Sequence, residues 1–293
     1  MAFDSLLDPF MMNGDEPLAR KVMIELVRRA APRAFWVQQA HILRTMSYER
    51  ELALLPVLCR PDGVGLDVGA ARGVYSVQMV HRVSKCIAFE PRPWQAEYLR
   101  DLVRYADLPV MVEEVALSDV DGNATLRVPV EQQGLSTVES ANKLYRADGP
   151  DERPIVTVEI KTRKLDAYCE KESIGFIKID VEGHEGAVLR GAEAVLRKQR
   201  PRLLIEVEDR HRPGAVGDVF HTMETHGYAG FFLYHETLLA ISEFDSAVHQ
   251  DPCNGSGWEN PGIEQPPYFN NFIFVPKEES AEICASVIEL LDG

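Results

Sequence analysis

The sequence predicts an α/β fold: a mostly parallel seven-stranded sheet with helices on both faces and an antiparallel hairpin at its end. Three features lead to this expectation. Short apolar runs alternate with stretches of helical periodicity from Val64 onward, the loop after the first run is rich in glycine, and two late apolar runs follow each other without a helical pattern between them. Alternating strands and helices form parallel sheets that are covered on both faces.

The chain before the sheet is predicted to be helical. Residues 1–55 are therefore assigned to a helical N-terminal segment, and 56–293 to the domain that carries the sheet. Apolar residues recur at helical spacing on either side of Pro32, which interrupts the pattern. These residues are Met23, Leu26, Val27, Ala30, Trp36, Ala40 and Leu43.

Seven strands are predicted after this segment, most of them separated by helical patterns. They cover 64–68, 85–90, 109–117, 174–180, 202–208, 228–235 and 270–276. The segment 119–162 departs from the alternation and predicts a β-hairpin or meander. Polar loops at 131–154 and 245–267 are candidates for the walls of a substrate pocket, because loops on a rigid scaffold often carry binding residues.

The first strand ends in an acid and is followed by a turn that is poor in side chains, "DVGAARG". Gly69 and Gly73 permit a sharp turn from strand to helix and let a ligand approach the backbone. Glu90 lies 21 residues after Gly69, the spacing typical of an acid that binds a ribose. Asp67 would repel a pyrophosphate but attract a cation. S-adenosylmethionine has a sulfonium, an α-ammonium group and a ribose but no phosphate, and it suits this loop.

The second dense stretch is "IKIDVEGHEGAVLRGA", in which a strand ends at Asp180 and a helix begins near His184. Asp180, Glu182 and His184 alternate at a period of two and are predicted to converge on one pocket. His184 is the candidate general base for a substrate hydroxyl, with Glu182 or Glu185 orienting its ring. Two alternatives stay open: His184 and Glu185 only open the helix, or the D-x-E-x-H pattern binds a metal ion.

Composition narrows the class of protein. The net charge of −15 argues against nucleic acid or an anionic membrane as partner, because their phosphates would be repelled. The five cysteines are far apart and form no C-x-x-C pair, which is typical of reduced thiols in a cytoplasmic protein. No secretory signal and no apolar run of membrane-spanning length is found. A cytoplasmic protein with a small-molecule or glycan partner is expected.

Five stretches of the chain carry a resemblance to a known family: "LDVGAARGVYS", "IAFEP", "VALSDVDGNATL", "GFIKIDVEGHEGAVLRGA" and "PRLLIEVE". Together they resemble the FkbM family of S-adenosylmethionine-dependent methyltransferases, in the family's order and over roughly residues 50–235. One departure is Ala71, where members often carry Asn. This departure removes a polar side chain near the cofactor but not the backbone geometry.

The resemblance implies a Rossmann-like class I methyltransferase fold and O-methylation of a hydroxyl on a sugar or natural-product scaffold, with S-adenosylhomocysteine as product. It implies catalytic roles for Asp180, Glu182 and His184, and it places the stretch 134–140 near the cofactor pocket. The residues implied to bind the cofactor are Asp67, Gly69, Ala70, Gly73, Tyr75, Glu90, Glu114, Ala116 and Asp180.

Several alternatives stay open at this point. They are a nicotinamide-dependent oxidoreductase, which Asp67 disfavours, a methyltransferase assisted by a divalent metal, and a non-catalytic S-adenosylmethionine-binding protein. No metal ligand is assigned, and the metal-assisted reaction is the less favoured form of the methyltransferase. A homodimer formed through the helical N-terminal segment is left open.

Overall fold

The computed structural model describes residues 18–47, 49–130, 133–140, 142, 145–146, 149–150, 154–168, 172–234, 236–251, 254 and 268–292. Most of the predicted loop 245–267, with Trp258 in it, lies outside these residues, as does part of the loop 131–154. Thirteen strands occur in the described part: β1 (Val64–Val68), β2 (Lys85–Phe89), β3 (Val110–Glu113), β4 (Ala116–Leu117), β5 (Gly122–Pro129), β6 (Tyr145–Arg146), β7 (Gly149–Pro150), β8 (Ile155–Arg163), β9 (Ile174–Ile179), β10 (Arg202–Glu206), β11 (Tyr228–Tyr234), β12 (Thr237–Ala240) and β13 (Asn271–Pro276).

The α-helices of the same described residues begin with two that precede the sheet and end with one that follows it. They are α1 (Leu18–Ala30), α2 (Pro32–Thr45), α3 (Leu55–Leu58), α4 (Val74–Met79), α5 (Pro93–Ala106), α6 (Leu165–Tyr168), α7 (Glu185–Arg190), α8 (Glu193–Lys198), α9 (Ala215–Thr225), α10 (Ser246–His249) and α11 (Ser280–Asp292). Short 3₁₀ helices cover Arg50–Leu54, Gln133–Leu135, Ile241–Glu243 and Lys277–Glu279.

The main sheet has eight described strands in the spatial order β12-β11-β13-β10-β9-β1-β2-β3. The five strands from β10 to β3 are parallel, whereas β13 runs antiparallel to both of its neighbours, β10 and β11. The predicted mostly parallel sheet and the antiparallel pairing of the two late strands are therefore confirmed. The sheet has one strand more than the seven predicted, because β12 folds back on β11.

Helices cover both faces of this sheet, as predicted. Successive residues of a strand point to opposite faces. On β9, Ile177 and Ile179 join the core that contains residues of α7, α8 and α9, whereas Phe176 joins the core that contains residues of α2 to α5 and α11. Lys178 has the same parity as Phe176 and is only 1% exposed. The ammonium group of Lys178 is therefore buried under the face that α2 to α5 and α11 cover, one residue before the end of β9.

A second, smaller sheet extends from the edge of the first. β5 and β8 pair antiparallel along their whole length, which confirms the predicted hairpin. The prediction of a single strand over 109–117 is wrong, because the chain leaves the main sheet after Glu113 and β4 pairs with β8 instead. Val115 and Leu117 insert into the main core at the point of departure. Their burial draws the chain away from β2.

The helix predicted to begin near His184 is divided into α7 and α8. The break occurs at Gly191, where a Cβ atom would lie 2.0 Å from the backbone oxygen of Ser118. That approach is open only to glycine, and it brings the end of α7 against Ser118, the residue that follows β4. Side chains from both elements can therefore meet, and they do so in the site described below.

The helical N-terminal segment packs on α5 through α2. Trp36 is 1% exposed and meets Tyr98 edge to face, with ring centroids 4.9 Å apart. The apolar residues of α1 are more exposed than those of α2. Met23 and Leu26 are 60% and 55% exposed, whereas Ile24 packs against the core. The boundary at residue 55 stays a prediction. Within the described ranges, no helix combines the length and the apolar character needed to cross a bilayer.

Candidate active site

The candidate active site lies at the carboxyl ends of β1, β2 and β9. β1 has β2 on one side and β9 on the other, so the order of the strands reverses at this point. Ligands of open α/β sheets bind in the crevice that such a reversal creates. Two cavities lie here, and Gly69, Ala71 and Asp180 line both of them.

The turn after β1 brings its backbone against β9. Gly69 has a φ of 83°, and a Cβ atom there would lie 1.8 Å from the carbonyl oxygen of Asp180. Ala71 has a φ of 46°, in a region that Asn adopts more readily than Ala. Asp67 Oδ2 accepts hydrogen bonds from Ser76 N at 2.8 Å and Ser76 Oγ at 2.5 Å, which ties β1 to α4. Burial raises the pKa of Asp67 to about 6.

The first cavity has a volume of about 180 Å³. One wall is apolar and comes from the ends of β2, β4 and β5, and the opposite wall is polar. Its lining includes Phe89, Glu90, Arg92, Val115, Ala116, Leu117, Leu126, Gly134, Ser136, Val138, Glu182 and His184. The stretch 134–140 therefore contributes to this wall. An apolar slot with a few convergent polar groups is the usual form of a small-molecule site.

Glu90 is fully buried at the end of β2, and its carboxylate is enclosed by protein donors. Oε1 accepts from Arg92 N at 2.9 Å and Nε at 2.7 Å, while Oε2 accepts from Ala71 N and Arg92 Nη2, both at 2.9 Å. A carboxylate offers about four lone-pair sites, so all of them are in use. Arg92 Nη1 also donates to the carbonyl of Gln133. A ribose hydroxyl therefore reaches Glu90 only when Arg92 gives up one of these bonds.

The second cavity has a volume of about 260 Å³ and lies on the other side of Gly69. Met46 and Glu49, from the chain after α2, form its outer wall. The Tyr75 hydroxyl donates a hydrogen bond of 2.5 Å to Glu49 Oε2. The remaining lining is Asp67, Ala70, Arg72, Val74, Lys178 and Asp180 with the two residues of the shared turn. This cavity is therefore rich in carboxylates.

Lys178 forms the floor of the second cavity. Its Nζ donates to Asn271 Oδ1 at 2.9 Å, lies 3.6 Å from Glu206 Oε2 and stands 4.9 Å above the ring of Tyr75. Burial works against its charge, but the carboxylates of Glu49 and Glu206 raise the pKa of Lys178 above its ordinary value.

Asp180 follows β9 at the place where the two cavities meet. Among the described residues, none donates a hydrogen bond to its carboxylate, although the side chain is partly buried. Burial raises the pKa of Asp180 to about 7, with Lys178 opposing the shift and Glu182 adding to it. Because no described residue donates a hydrogen bond to its oxygens, Asp180 can accept a proton from a ligand near neutral pH.

Glu182 occupies a strained turn. Its φ is 54°, and Gly183 follows with a φ of 104°. The carbonyl of Glu182 accepts hydrogen bonds from Thr137 Oγ1 at 2.7 Å and Asn142 Nδ2 at 2.9 Å. A left-handed non-glycine residue persists only when its surroundings impose it, and such residues cluster at functional sites. The two side chains from the loop after β5 supply that constraint.

The expectation that Glu182 or Glu185 orients the ring of His184 is wrong. Glu185 Oε1 accepts a hydrogen bond of 2.8 Å from Gly183 N. Glu182 Oε2 lies 2.9 Å from His211 Nε2. Burial lowers the pKa of His211, but the carboxylates of Glu182 and Glu208 together raise it above its ordinary value. His184 instead has Nδ1 at 2.5 Å from Glu139 Oε1 and Nε2 at 3.0 Å from Ser118 Oγ. The left-handed turn at Glu182 directs its carboxylate away from His184. Both ring nitrogens of His184 are therefore occupied by protein groups.

The other predicted residues are distributed unequally. Gly69 and Asp180 line both cavities, Glu90 and Ala116 the first, and Asp67, Ala70 and Tyr75 the second. Glu114 lines neither, because its carboxylate accepts a hydrogen bond of 2.9 Å from Arg100 at the surface. Gly73 also lines neither cavity; it begins α4, where a Cβ atom would lie 2.8 Å from Leu99 Cδ2.

The D-x-E-x-H pattern, which left a metal site open, forms no cluster of metal ligands in the described residues. Within the described ranges, no three His, Cys, Asp or Glu side chains are grouped so that they could hold an ion together. Asp180, Glu182 and His184 all line the first cavity, but Glu182 and His184 have different polar partners, His211 and Glu139.

Sequence reasoning missed five residues of the site: Glu49, Arg92, Ser118, Glu139 and His211. Ser118 and Glu139 stand in motifs that the sequence did single out, "VALSDVDG" and "GLSTVES". Their meeting with His184 depends on the break at Gly191 and on the packing of a long loop, which leave no local signal.

Comparisons with known proteins agree with one another. Residues 67–229 match the family described as "Methyltransferase FkbM domain". The chain is 29% identical over 174 residues to the 2-O-methyltransferase NoeI of Sinorhizobium fredii, which covers 53% of this chain and 68% of that protein. It is 30% identical over 194 residues to the 31-O-demethyl-FK506 methyltransferase FkbM of Streptomyces tacrolimicus, which covers 58% of this chain and 74% of that protein.

A solved structure is also similar. Methyltransferase FkbM from Methylobacillus flagellatus superposes with a TM-score of 0.44 and 16% identity. The match covers 85% of this chain and 59% of that one, so the chain spans about three fifths of its length.

Proposed function

The chain belongs to the FkbM family of methyltransferases, and from this premise we propose that it transfers a methyl group from S-adenosylmethionine to a hydroxyl of a sugar or natural-product scaffold. Membership makes the chain a methyltransferase, which sets aside the nicotinamide-dependent oxidoreductase and the non-catalytic binding protein. The names of both relatives specify methyl transfer to an oxygen atom. The observation that carries the proposal is the pair of cavities that meet at Gly69 and Asp180.

The residues present fit this cofactor in size and charge. The apolar slot beside Glu90 suits an adenosyl group, and Ala116 leaves room in its wall. The carboxylates of the second cavity, Asp67 and Glu49, suit an α-ammonium group. The turn at Gly69 lets a ligand lie against the backbone between the two cavities. In this arrangement Arg92 yields part of its contact with Glu90 to the ribose hydroxyls.

When bound, S-adenosylmethionine supplies a methyl group on a positively charged sulfur, which needs no further activation. The protein has to align the acceptor oxygen with this methyl group and to remove its proton. The geometry favours Asp180 over His184 for the proton, since no described residue donates to the Asp180 carboxylate whereas both nitrogens of His184 are occupied. His184 then has a positioning role: it joins Ser118, after β4, to Glu139 in the loop that lines the first cavity.

The acceptor is proposed to enter beside the second cavity. Carboxylates such as Asp180 and Glu49 accept hydrogen bonds, and sugar or polyol hydroxyls donate them. Tyr268, next to the predicted loop 245–267, donates a hydrogen bond to Glu208, which also accepts two hydrogen bonds from Arg210. This cluster holds Tyr268 close to the end of β10. A cytoplasmic location stays a prediction from the scattered cysteines.

The function is tested by methyl transfer from S-adenosyl-[methyl-³H]methionine to a panel of methyl glycosides, polyhydroxylated macrolactones and matched amines. The expected product is a methyl ether, identified by its O-methyl resonance in NMR. Folded protein that labels only the amines would contradict O-methylation.

The proton acceptor is tested separately at saturating donor, with Asp180→Asn and His184→Gln. Loss of a general base typically costs 10²- to 10⁴-fold in turnover. Asp180→Asn is expected to lose that factor in turnover and also the rise of the turnover rate near pH 7. His184→Gln is expected to keep the shape of the profile of rate against pH. The opposite result would return the role of base to His184.

A further inference from the structure

Resting on the proposed function, we propose that the carboxylate of Asp180 is the counter-charge of the methyl donor, so that the site holds the cationic donor more tightly than its neutral product. The donor and S-adenosylhomocysteine share the adenosyl group and the amino-acid end. They differ at the sulfur, which is positively charged in the donor and neutral in the product. A residue that distinguishes them must therefore lie beside the sulfur.

The position of the sulfur follows from the two cavities. The ligand has an adenosyl half and an amino-acid half, and these halves are joined at the sulfur. The slot beside Glu90 suits the first half, and the cavity with Asp67 and Glu49 suits the second. The two cavities share only Gly69, Ala71 and Asp180 among their described lining residues. The first two offer backbone there, so Asp180 supplies the charge at the junction.

The surroundings of Asp180 leave this charge available. None of the described residues donates a hydrogen bond to its oxygens, in contrast to Asp67, which is bound by Ser76, and Glu90, which is bound by Arg92. The nearby Lys178 is bound to Asn271 and faces Glu206, so its charge is already shared. An ionised carboxylate without a donor is costly in a partly buried site, and a cation beside it removes that cost.

The charges balance over one turnover. The methyl group leaves the sulfonium, so the C–S bond breaks with its electron pair going to sulfur, and a C–O bond forms with the acceptor oxygen. The acceptor's proton passes to Asp180. The positive charge on sulfur and the negative charge on Asp180 therefore disappear together, and the attraction that held the donor no longer holds the product.

The experiment compares the affinities of S-adenosylmethionine and S-adenosylhomocysteine by calorimetry for the wild type, Asp180→Asn and Asp67→Asn. Sinefungin, which carries an ammonium group in place of the methylsulfonium, serves as a stable cationic analogue. Asp180→Asn is expected to lower the ratio of donor to product affinity at least tenfold, about 1.4 kcal/mol, while the product binds as before. Asp67→Asn is the matched control: its partner, the α-ammonium group, is common to both ligands, so both should weaken and the ratio should stay.

An unchanged ratio in Asp180→Asn, or an equal loss for both ligands, overturns the inference while the proposed function stands. A folded wild type that binds neither ligand overturns the proposed function and this inference with it.

A second measurement needs no variant, and so covers the case in which Asp180→Asn does not fold. A cation beside Asp180 favours its ionised form, so binding of the donor near pH 7 should release protons, whereas the product should release fewer. Among the described residues, the charged groups that face Asp180 are Lys178 on β9, Arg92 before α5, Glu49 before the 3₁₀ helix, Glu206 on β10, and Glu182 and Glu185 in the following turn. Calorimetry in two buffers of different ionisation enthalpy measures the protons released. Equal release for donor and product would overturn the inference.

Discussion

Replacing Gly69 by alanine should destabilise the fold more than the same replacement at Gly214 or Gly217, the two glycines compared with it below. The new Cβ atom would stand 1.8 Å from the carbonyl oxygen of Asp180, whereas contacts of this kind are not found below 3.0 Å. The ends of β1 and β9 would have to separate by about 1.2 Å (3.0 − 1.8) to relieve it. Strain from the φ of 83° adds to this cost.

The two contributions have separate controls in the same chain. Gly214 has a φ of 79° with nothing within 4 Å of an added Cβ, so Gly214→Ala measures the backbone strain alone. Gly217 lies inside α9, also with nothing within 4 Å and without a left-handed φ, so Gly217→Ala measures neither. We expect a loss of about 1–2 kcal/mol for Gly214→Ala and about 2–5 kcal/mol for Gly69→Ala. Gly217→Ala should gain about 0.5–1 kcal/mol.

Urea unfolding followed by far-ultraviolet circular dichroism checks this order, with the slope m compared among variants to confirm that the unfolding transition itself is unchanged. The reasoning is refuted if Gly69→Ala is no less stable than Gly214→Ala, because the collision with β9 would then contribute nothing. If Gly69→Ala folds, it should also bind S-adenosylhomocysteine more weakly, since the separated strand tips widen the junction of the two cavities.

Three further predictions concern charge and packing. Glu90→Gln should destabilise the protein by about 3–5 kcal/mol in urea unfolding, because it breaks a buried ion pair. The Arg92 guanidinium, which is 6% exposed, would then lose the carboxylate that it pairs with. A variant as stable as the wild type would contradict this. Burial raises the pKa of Glu185 to about 7, so the native state binds a proton that the unfolded state releases, and stability falls as pH rises from about 4.5 to 7, by up to about 3 kcal/mol. Glu185→Gln should flatten this fall between pH 5 and pH 8, and an unchanged slope would count against it. Leu43→Ala should lower the free energy of unfolding by about 2–5 kcal/mol, because Leu43 is only 4% exposed. Leu26→Glu should lower it by less than about 0.5 kcal/mol, because Leu26 is 55% exposed. Thermal unfolding checks this order, and a reversed order would refute the placement of α1.

Much of the fold was predictable because hydrophobic patterns repeat along the chain. The strand and helix alternation, the left-handed turn at Gly69 and the acid at the end of β2 all leave local signals that a single sequence carries. The strand predicted at 109–117 failed for a tertiary reason, since the burial of Val115 and Leu117 competes with continued pairing to β2. The helix at α1 was predictable from its periodicity, but periodicity does not tell what covers an apolar face, and Met23 and Leu26 on this one are exposed.

The site was predicted in its parts but not in its pairings. The period of two in "DVEGH" suggested that Asp180, Glu182 and His184 converge on one pocket, and all three line the first cavity. The left-handed φ of Glu182 breaks that period and sends its carboxylate to His211. The partner of His184, Glu139, lies 45 residues away in the chain, and no local pattern marks such a contact.

The measurement that tests the account most directly is a calorimetric titration of the wild type with S-adenosylhomocysteine, beside the variant Ala116→Phe. Ala116 lines the slot assigned to the adenosyl group, and a phenyl ring there would fill much of its roughly 180 Å³. The account predicts binding at one site per chain for the wild type and a loss of at least tenfold in affinity for the variant. Folded wild type that does not bind, or Ala116→Phe that binds as tightly as the wild type, would contradict it.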